Sequence, residues 1–404
     1  RGVGKADVRK GRAVIALSAS ALDTADALRL DLDSRPDDKR FDLDLLVAGP
    51  RGGIVTGLIG TDQPVALAIK GDGDWRDWRG GLVAVSGGQR AARLALRMQE
   101  GRYHVNGPVA LIGPLAALGS GEMALDADLR FDNRLLSGTA SAALPAVQLK
   151  ATGGLDLARN RFDELRLEAA VAQPGRLAAG VTGRPVLLRA RLAGPFGNAA
   201  FDYLLTAPDL RQGKMGVRDL RLAGEARLAG QEGSFPFRLT AQALAVGAPQ
   251  IDERLRNLVV DGRIQRAAGQ FRLAPTAIRA SGFAGQLDGQ ADGGLGSFAG
   301  NFRGGFNGLE VKGLGRLDLA AVLRLVKPAQ GSVAFTGTAR AIMRRLDNGF
   351  LRGLGEGLPT ITSDLALAGK RIALRNLRLG APALTLAGNG YYDTSAGTLQ
   401  LEGS

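Results

Sequence analysis

Residues 28–49 read LRLDLDSRPDDKRFDLDLLVAG, and their spacing decides the fold. Leu28, Leu30 and Leu32 occupy every second position with Arg29, Asp31 and Asp33 around them, and Leu43, Leu45 and Val47 resume that period after Phe41. Successive side chains of an extended chain point to opposite faces, so a period of two gathers the leucines on one face and the charges on the other. The polar stretch 34–40, which contains Pro36 and two aspartates, reads as a turn. An antiparallel hairpin with one dry face and one wet face follows.

The same pattern extends outward through the chain. Val186, Leu188, Ala190 and Leu192 lead over Gly194-Pro195 to Phe201, Tyr203 and Leu205, and Phe235, Phe237, Leu239, Ala241 and Ala243 make the longest clean run. Near the C-terminus Leu384 and Leu386 lead to Tyr392, and a turn at 393–397 hands over to Leu399 and Leu401. The expected fold is all-β: an elongated, curled antiparallel sheet, trough or taco-like, with an apolar interior and few short helices. Residues 1–404 read as one continuous repetitive sheet segment of a longer protein, since the chain opens on Arg1 and contains no run of about 20 apolar residues. The positions predicted to line the apolar interior are Leu220 and Leu222; Phe235, Phe237 and Leu239; Leu258 and Val260; Leu377 and Leu379; Leu384 and Leu386; and Leu399 and Leu401.

A second pattern interrupts the alternation five times, at 162–167 (FDELRL), 217–222 (VRDLRL), 255–260 (LRNLVV), 306–311 (FNGLEV) and 374–379 (LRNLRL). Its apolar spacing of three and then two shifts the phase by one residue. Either the entry of a strand from a turn or a β-bulge that curves the sheet produces such a shift. Two stretches read instead as helices. Residues 318–328 (DLAAVLRLVKP) suggest a short helix stopped by proline. In 339–354 (ARAIMRRLDNGFLRGL), Ile342, Met343, Leu346, Phe350 and Leu351 fall at helical spacing opposite Arg344, Arg345 and Arg352, as in a short helix closing the mouth of a sheet.

Composition excludes much chemistry. There is no cysteine, so thiol catalysis, disulfides and Cys-based zinc sites are absent, and the single histidine, His104, is expected to be structural, with no metal and no cofactor. Asp72, Asp74 and Asp77 in GDGDWRDWRGG (71–81) lack the spacing of a calcium loop, and Trp75 and Trp78 read as anchors flanking a turn. GLGSFAG (294–300) places its third glycine one position late for a dinucleotide fingerprint, and no carboxylate pair stands apart as a catalytic dyad. The net charge of +13 is spread, with acidic residues interleaved among the arginines. Nucleic acid is therefore not an expected partner, and the chain does not read as an enzyme.

Two long stretches, 71–109 (GDGDWRDWRGGLVAVSGGQRAARLALRMQEGRYHVNGPV) and 345–404 (RLDNGFLRGLGEGLPTITSDLALAGKRIALRNLRLGAPALTLAGNGYYDTSAGTLQLEGS), together with the one-faced strands and the phase-shifting motif, resemble the TamB family (of the translocation and assembly module) within the AsmA-like group. The resemblance implies a middle segment of a periplasmic protein in a Gram-negative envelope that is inner-membrane anchored at full length. It implies a lipid-conducting β-trough that moves phospholipids between inner and outer membranes and supports outer-membrane assembly. The implied partners are phospholipid acyl chains, the inner membrane through an anchor outside this segment, and an outer-membrane barrel through a domain outside it. The alternative reading of the residues is a structural or adhesive all-β array, stacked sandwiches or a β-helix, without lipid transport.

Overall fold

The computed structural model describes the chain except residues 1, 10–11, 22–24, 36, 60–62, 75, 112–120, 145, 177–179, 230–231, 268–269, 293–295, 312–314, 331, 348, 350–358, 370, 382–383, 394–397 and 404. The described strands make one antiparallel sheet of 27 strands. The opening hairpin has the expected form: Ala27–Arg35 pairs with Arg40–Gly49, with Leu28, Leu30 and Leu32 opposite Val47, Leu45 and Leu43.

The chain divides into two compact units, residues 1–179 with 187–196 and residues 180–186 with 197–404. In the first, each strand from Gly2–Arg9 to Arg161–Val171 pairs with the next, and Val186–Pro195 adds against the last of them. The connection after Arg40–Gly49 carries the short helix Ile54–Ile59, whose first backbone N–H groups at Ile54 and Val55 donate to the buried Asp26 carboxylate at 2.8 and 3.0 Å. In the second unit Val181–Gly183 pairs with Ala199–Gln212, and a meander runs from that strand to Thr398–Gly403. Neither meander closes on itself, since Gly2–Arg9 and Thr398–Gly403 each have one strand partner among the described residues.

Four of the five phase-shifting motifs are bulges inside strands, while 255–260 enters the strand Arg256–Ala267 from the turn Glu253–Leu255, and each of the five bends at its third residue. Glu164, Asp219, Asn257, Gly308 and Asn376 have φ of 51°, 50°, 54°, 62° and 52°. This left-handed conformation is open to glycine and tolerated by Asn and Asp, which accounts for four of the five residues. The fifth, Glu164, is held by two hydrogen bonds from Arg191 at 2.6 and 2.8 Å. At 162–167, 306–311 and 374–379 the pairing register slips. At 217–222 it does not, because the neighbouring strands change phase at the same level: Ala207 and Leu210 stand opposite Leu220 and Val217, and Val217 stands opposite Leu244. A crease therefore crosses adjacent strands, and bulges of this kind increase local twist and bend.

Both predicted helices are corrected where they are described. Residues 318–327 belong to the strand Gly315–Lys327, in which Leu319, Leu323 and Leu325 face Phe306, Phe302 and Gly300 while Val322 points to the other face. Apolar residues on both faces erased the alternation and left an ambiguous run. Residues 339–346 belong to Ala334–Leu346. There Arg316 pairs with Arg345 and Leu317 with Met343, so one extra residue at Arg344 makes a bulge whose apolar spacing imitates a helix. Phe350, Leu351 and Arg352 lie outside the described residues.

Candidate functional site

The register assembles the leucines into continuous rows. In the first unit Leu17, Leu30, Leu45, Ile69, Leu82 and Leu94 stand directly opposite one another across six strands. In the second, Leu205, Leu222, Leu239, Val260 and Ile278 do the same, and Phe306, Leu319, Ala341, Ile361, Leu379 and Leu386 form a parallel row. Pairs at 4.5–5.5 Å make each row an unbroken apolar band running across the strands.

All thirteen positions predicted to line the interior share this face by backbone register. Leu220 stands opposite Ala207, Leu222 opposite Leu239, Phe235 opposite Ile264, Phe237 opposite Gly262, and Leu258 opposite Ala241. Leu377 faces Gly388, Leu384 faces Ala381, Leu399 faces Tyr392 and Leu401 faces Gly390. Their exposure differs. Leu258 is 7% exposed, packed into the crease beside Ala241, whereas Leu386 and Leu401 are 44% and 53% exposed. Leu220, Leu222, Phe235, Phe237, Leu239, Val260, Leu377 and Leu379 are half-buried, as are the first-unit leucines named above.

Most leucines of these rows are half-buried, unlike those of a sandwich core, while Leu317, Ala341 and Met343 on the same face form a buried cluster, as do Leu111, Met123 and Ala142. A covered inner face holds its leucines near full burial. The accessible surface of the 42.0 kDa chain is 24767 Å², against about 15,000 Å² for a compact monomer of that mass. Among the described residues most of the apolar face is shielded by its own neighbours, with no second sheet paired over it.

The aromatic residues on this face lie down on it. Trp78 rests over Gly71 and Gly80, so that a methyl group on either glycine would collide with the indole. A methyl group on Gly262 would come within 2.6 Å of Phe237, one on Gly285 within 2.7 Å of Phe302, and one on Gly300 within 2.6 Å of Phe298. Tyr203 covers Gly224 and donates its hydroxyl to the Pro236 carbonyl at 3.3 Å, and burial pushes its pKa up. Rings spread over cross-strand glycines keep the face low. This pairing is invisible in one strand, because the glycine and the ring that covers it belong to different strands or positions two apart.

The opposite face carries charge in short ion pairs. Arg238 and Arg279 approach Asp261 at 3.7 and 4.0 Å. Arg344 contacts Asp318 at 2.7 Å, and the Gly308 N–H donates to the same carboxylate at 2.7 Å; these two hold Asp318 below the ordinary carboxylate range, with the backbone bond the larger cause. Asp74, suggested by its sequence context as a loop carboxylate, instead accepts the Arg76 and Asp77 backbone N–H groups at 2.6 and 2.7 Å and closes a turn. Its pKa is lowered by those bonds. Trp78 is buried against Gly71 and Gly80 beside that turn, while Trp75 lies outside the described residues.

The charged face is not uniform. A cavity of about 690 Å³ lies at one end of the first strands, lined by Leu46, Ala48, Ala66, Ala68, Val83 and Val85, which have the opposite parity to the leucine rows. It is apolar and belongs to the first unit, whereas the thirteen predicted positions belong to the second. Period-two reading placed Leu28, Leu30 and Leu32 correctly but gave no sign of this patch, since Leu46 and Val83 there read as neighbours of the leucine rows. Comparison with protein-family models, with curated proteins and with solved structures finds no match to this chain.

Proposed function

We propose that the apolar face is the interior of a trough that conducts phospholipid acyl chains across a Gram-negative periplasm between inner and outer membranes, as a segment of a TamB-like, AsmA-like protein that is anchored to the inner membrane and supports outer-membrane assembly. The observation that carries the reading is the largely half-buried leucine face, continuous from strand to strand within each unit and without a second sheet over it among the described residues. Two chains of about 16 carbons, at ~0.8 kcal/mol per buried methylene, cost on the order of 25 kcal/mol to expose to water. A carrier must therefore offer apolar contact at every step, and the rows Leu205 to Ile278 and Phe306 to Leu386 run in the direction that provides it. The four bulges supply curvature, and the flattened rings keep the face low.

The structural alternative fits less well. Stacked sandwiches would bury the leucine rows, and a β-helix is built from parallel coils, whereas every pairing described between strands is antiparallel. The test is mass spectrometry of lipids retained by the chain after purification without detergent. Phospholipid at a reproducible stoichiometry supports the trough, and a lipid-free chain that also fails to extract phospholipid from vesicles refutes it.

A further inference from the structure

We propose that His104, Asp126 and Asn106 form a binding site for a first-row divalent transition-metal ion, with Asp128 as the positioning residue for the histidine. The site is independent of the trough and lies on the polar face. His104 and Asn106 belong to Arg102–Ala110, and the two aspartates belong to Glu122–Asp132. In register His104 stands opposite Asp128 and Asn106 opposite Asp126, so four side chains meet on one face of an antiparallel pair. One ligand atom from each of His104, Asp126 and Asp128 lies within 4.8 Å of the others.

The two ring nitrogens have different surroundings. His104 Nδ1 is 2.9 Å from Asp128 Oδ1, and an Nδ1–H donated there leaves Nε2 as a lone pair. Nε2 is 3.8 Å from Asp126 Oδ2 and 3.3 Å from the side-chain amide of Asn106. Metal–ligand bonds of about 2.1 Å place two donors roughly 3.4 Å apart at a tetrahedral angle and farther apart at a wider one. A separation of 3.8 Å therefore accepts an ion between Nε2 and Asp126 at an angle of about 130°, with small side-chain movement. Turning the Asn106 amide over presents its carbonyl as a third oxygen or nitrogen ligand, and water fills the open side. Imidazole with carboxylate and amide oxygens suits a borderline ion such as Zn²⁺ better than Mg²⁺ or Ca²⁺.

A carboxylate behind the distal nitrogen is the arrangement that orients a metal-binding imidazole. Arg97, opposite His104 on the other side, lies 3.8 Å from the Asp77 carboxylate, Arg102 and Arg130 stand opposite each other two positions away, and Thr139 and Ser141 flank the aspartates. Sequence reading made this histidine structural because no second His or Cys exists. The missing carboxylate ligand, Asp126, and the positioning Asp128 come from the next strand, 22 and 24 residues later.

The chain's composition makes the test clean, because its only histidine is His104 and it has no cysteine. Zn²⁺ is titrated calorimetrically into the whole tag-free chain. The expected result is one saturable site, lost at least 100-fold in His104→Ala and at least 10-fold in Asp126→Asn. Asp128→Asn is expected to keep one ion per chain at about 10- to 100-fold lower affinity. All three side chains are on the solvent side of the sheet, and circular dichroism confirms that each variant keeps its strands. In parallel, the single imidazole is followed by ¹⁵N NMR, where Zn²⁺ should shift Nε2 and leave Nδ1 protonated. Absence of saturable binding, binding that His104→Ala leaves intact, or metal on Nδ1 overturns the proposal.

Discussion

Leu239→Asp discriminates an open apolar face from a closed core more sharply than any other single change. Leu239 stands between Leu222 and Val260 in the middle of a leucine row and is half-buried. Losing half of the ~2–3 kcal/mol that a fully buried leucine contributes costs about 1–1.5 kcal/mol. On an open face the new carboxylate keeps its water, so that figure is nearly the whole cost. In a covered core the unpaired charge adds several kcal/mol, and the sum approaches the 5–15 kcal/mol that holds a typical domain together. The effect on lipid runs the other way. A hydrated carboxylate that keeps roughly three or four methylenes off the floor removes about 3 kcal/mol of contact, two orders of magnitude in affinity. Urea denaturation followed by circular dichroism gives the first quantity, and lipid retained per chain gives the second. Arg238→Gln, on the other face in an ion pair with Asp261, is the control for both. A loss of more than about 4 kcal/mol in Leu239→Asp would refute the open face, and a folded variant with undiminished lipid would refute the trough.

Photo-crosslinkers at Leu239 and Leu386 should capture phospholipid in cells while those at Arg238 and Thr385 should not; capture on both parities would show that lipid does not select the leucine face. Asp219 makes no described side-chain contact and has φ of 50°, so Asp219→Ala should cost about 1 kcal/mol and Asp219→Gly should not; equal melting temperatures for the two variants would remove the left-handed bulge as the reason for this residue. Because Asp318 is held below its ordinary pKa of 3.8 in the folded chain, its contribution is present above pH 3.8 and disappears as pH falls through the lower folded value. Acid denaturation below pH 3.8 should therefore be shallower in Asp318→Asn than in the parent, and superimposable profiles would count against the Gly308 and Arg344 contacts.

Much of this architecture is written in residue order, and what is missing is missing for a physical reason. The period of two in residues 28–49 carries both the hairpin and its register, because a slip of one residue would send Leu30 to the charged face. The five motifs were readable as phase changes, and their third residues, Glu, Asp, Asn, Gly and Asn, are where the left-handed backbone occurs. Turn entry and bulge have the same apolar spacing within one strand, however, and only the pairing places Glu164, Asp219, Gly308 and Asn376 inside strands and Asn257 at a strand entry. The misread stretch 339–346 fails for the related reason that a bulge at Arg344 sets apolar residues three apart. Features built between strands were not legible. Gly262 beneath Phe237, and Asp128 beside His104, are separated by 25 and 24 residues, so no local pattern relates them.

The glycines and the bulges belong to one structural solution. A single sheet that presents leucines to a wide open face must bend around that face, and bending crowds the side chains on the inner surface. Trp78, Phe237, Phe298 and Phe302 would be the first to fill the space if they stood upright, yet each lies against glycine on its own or the neighbouring strand. Gly71 and Gly80 pair directly, as do Gly285 with Gly304 and Gly289 with Gly300, so the positions that cost the sheet most in backbone entropy sit where a ring lies flat. The rings restore apolar contact over the glycines and protect the backbone hydrogen bonds beneath them, while the floor stays thin. Rows of leucine supply continuity, left-handed bulges supply curvature, and glycine under aromatic rings keeps the curved interior from closing on its own side chains. A sheet meant to pack against a second layer has no use for the last of these, since its rings serve best upright, filling the gap between layers.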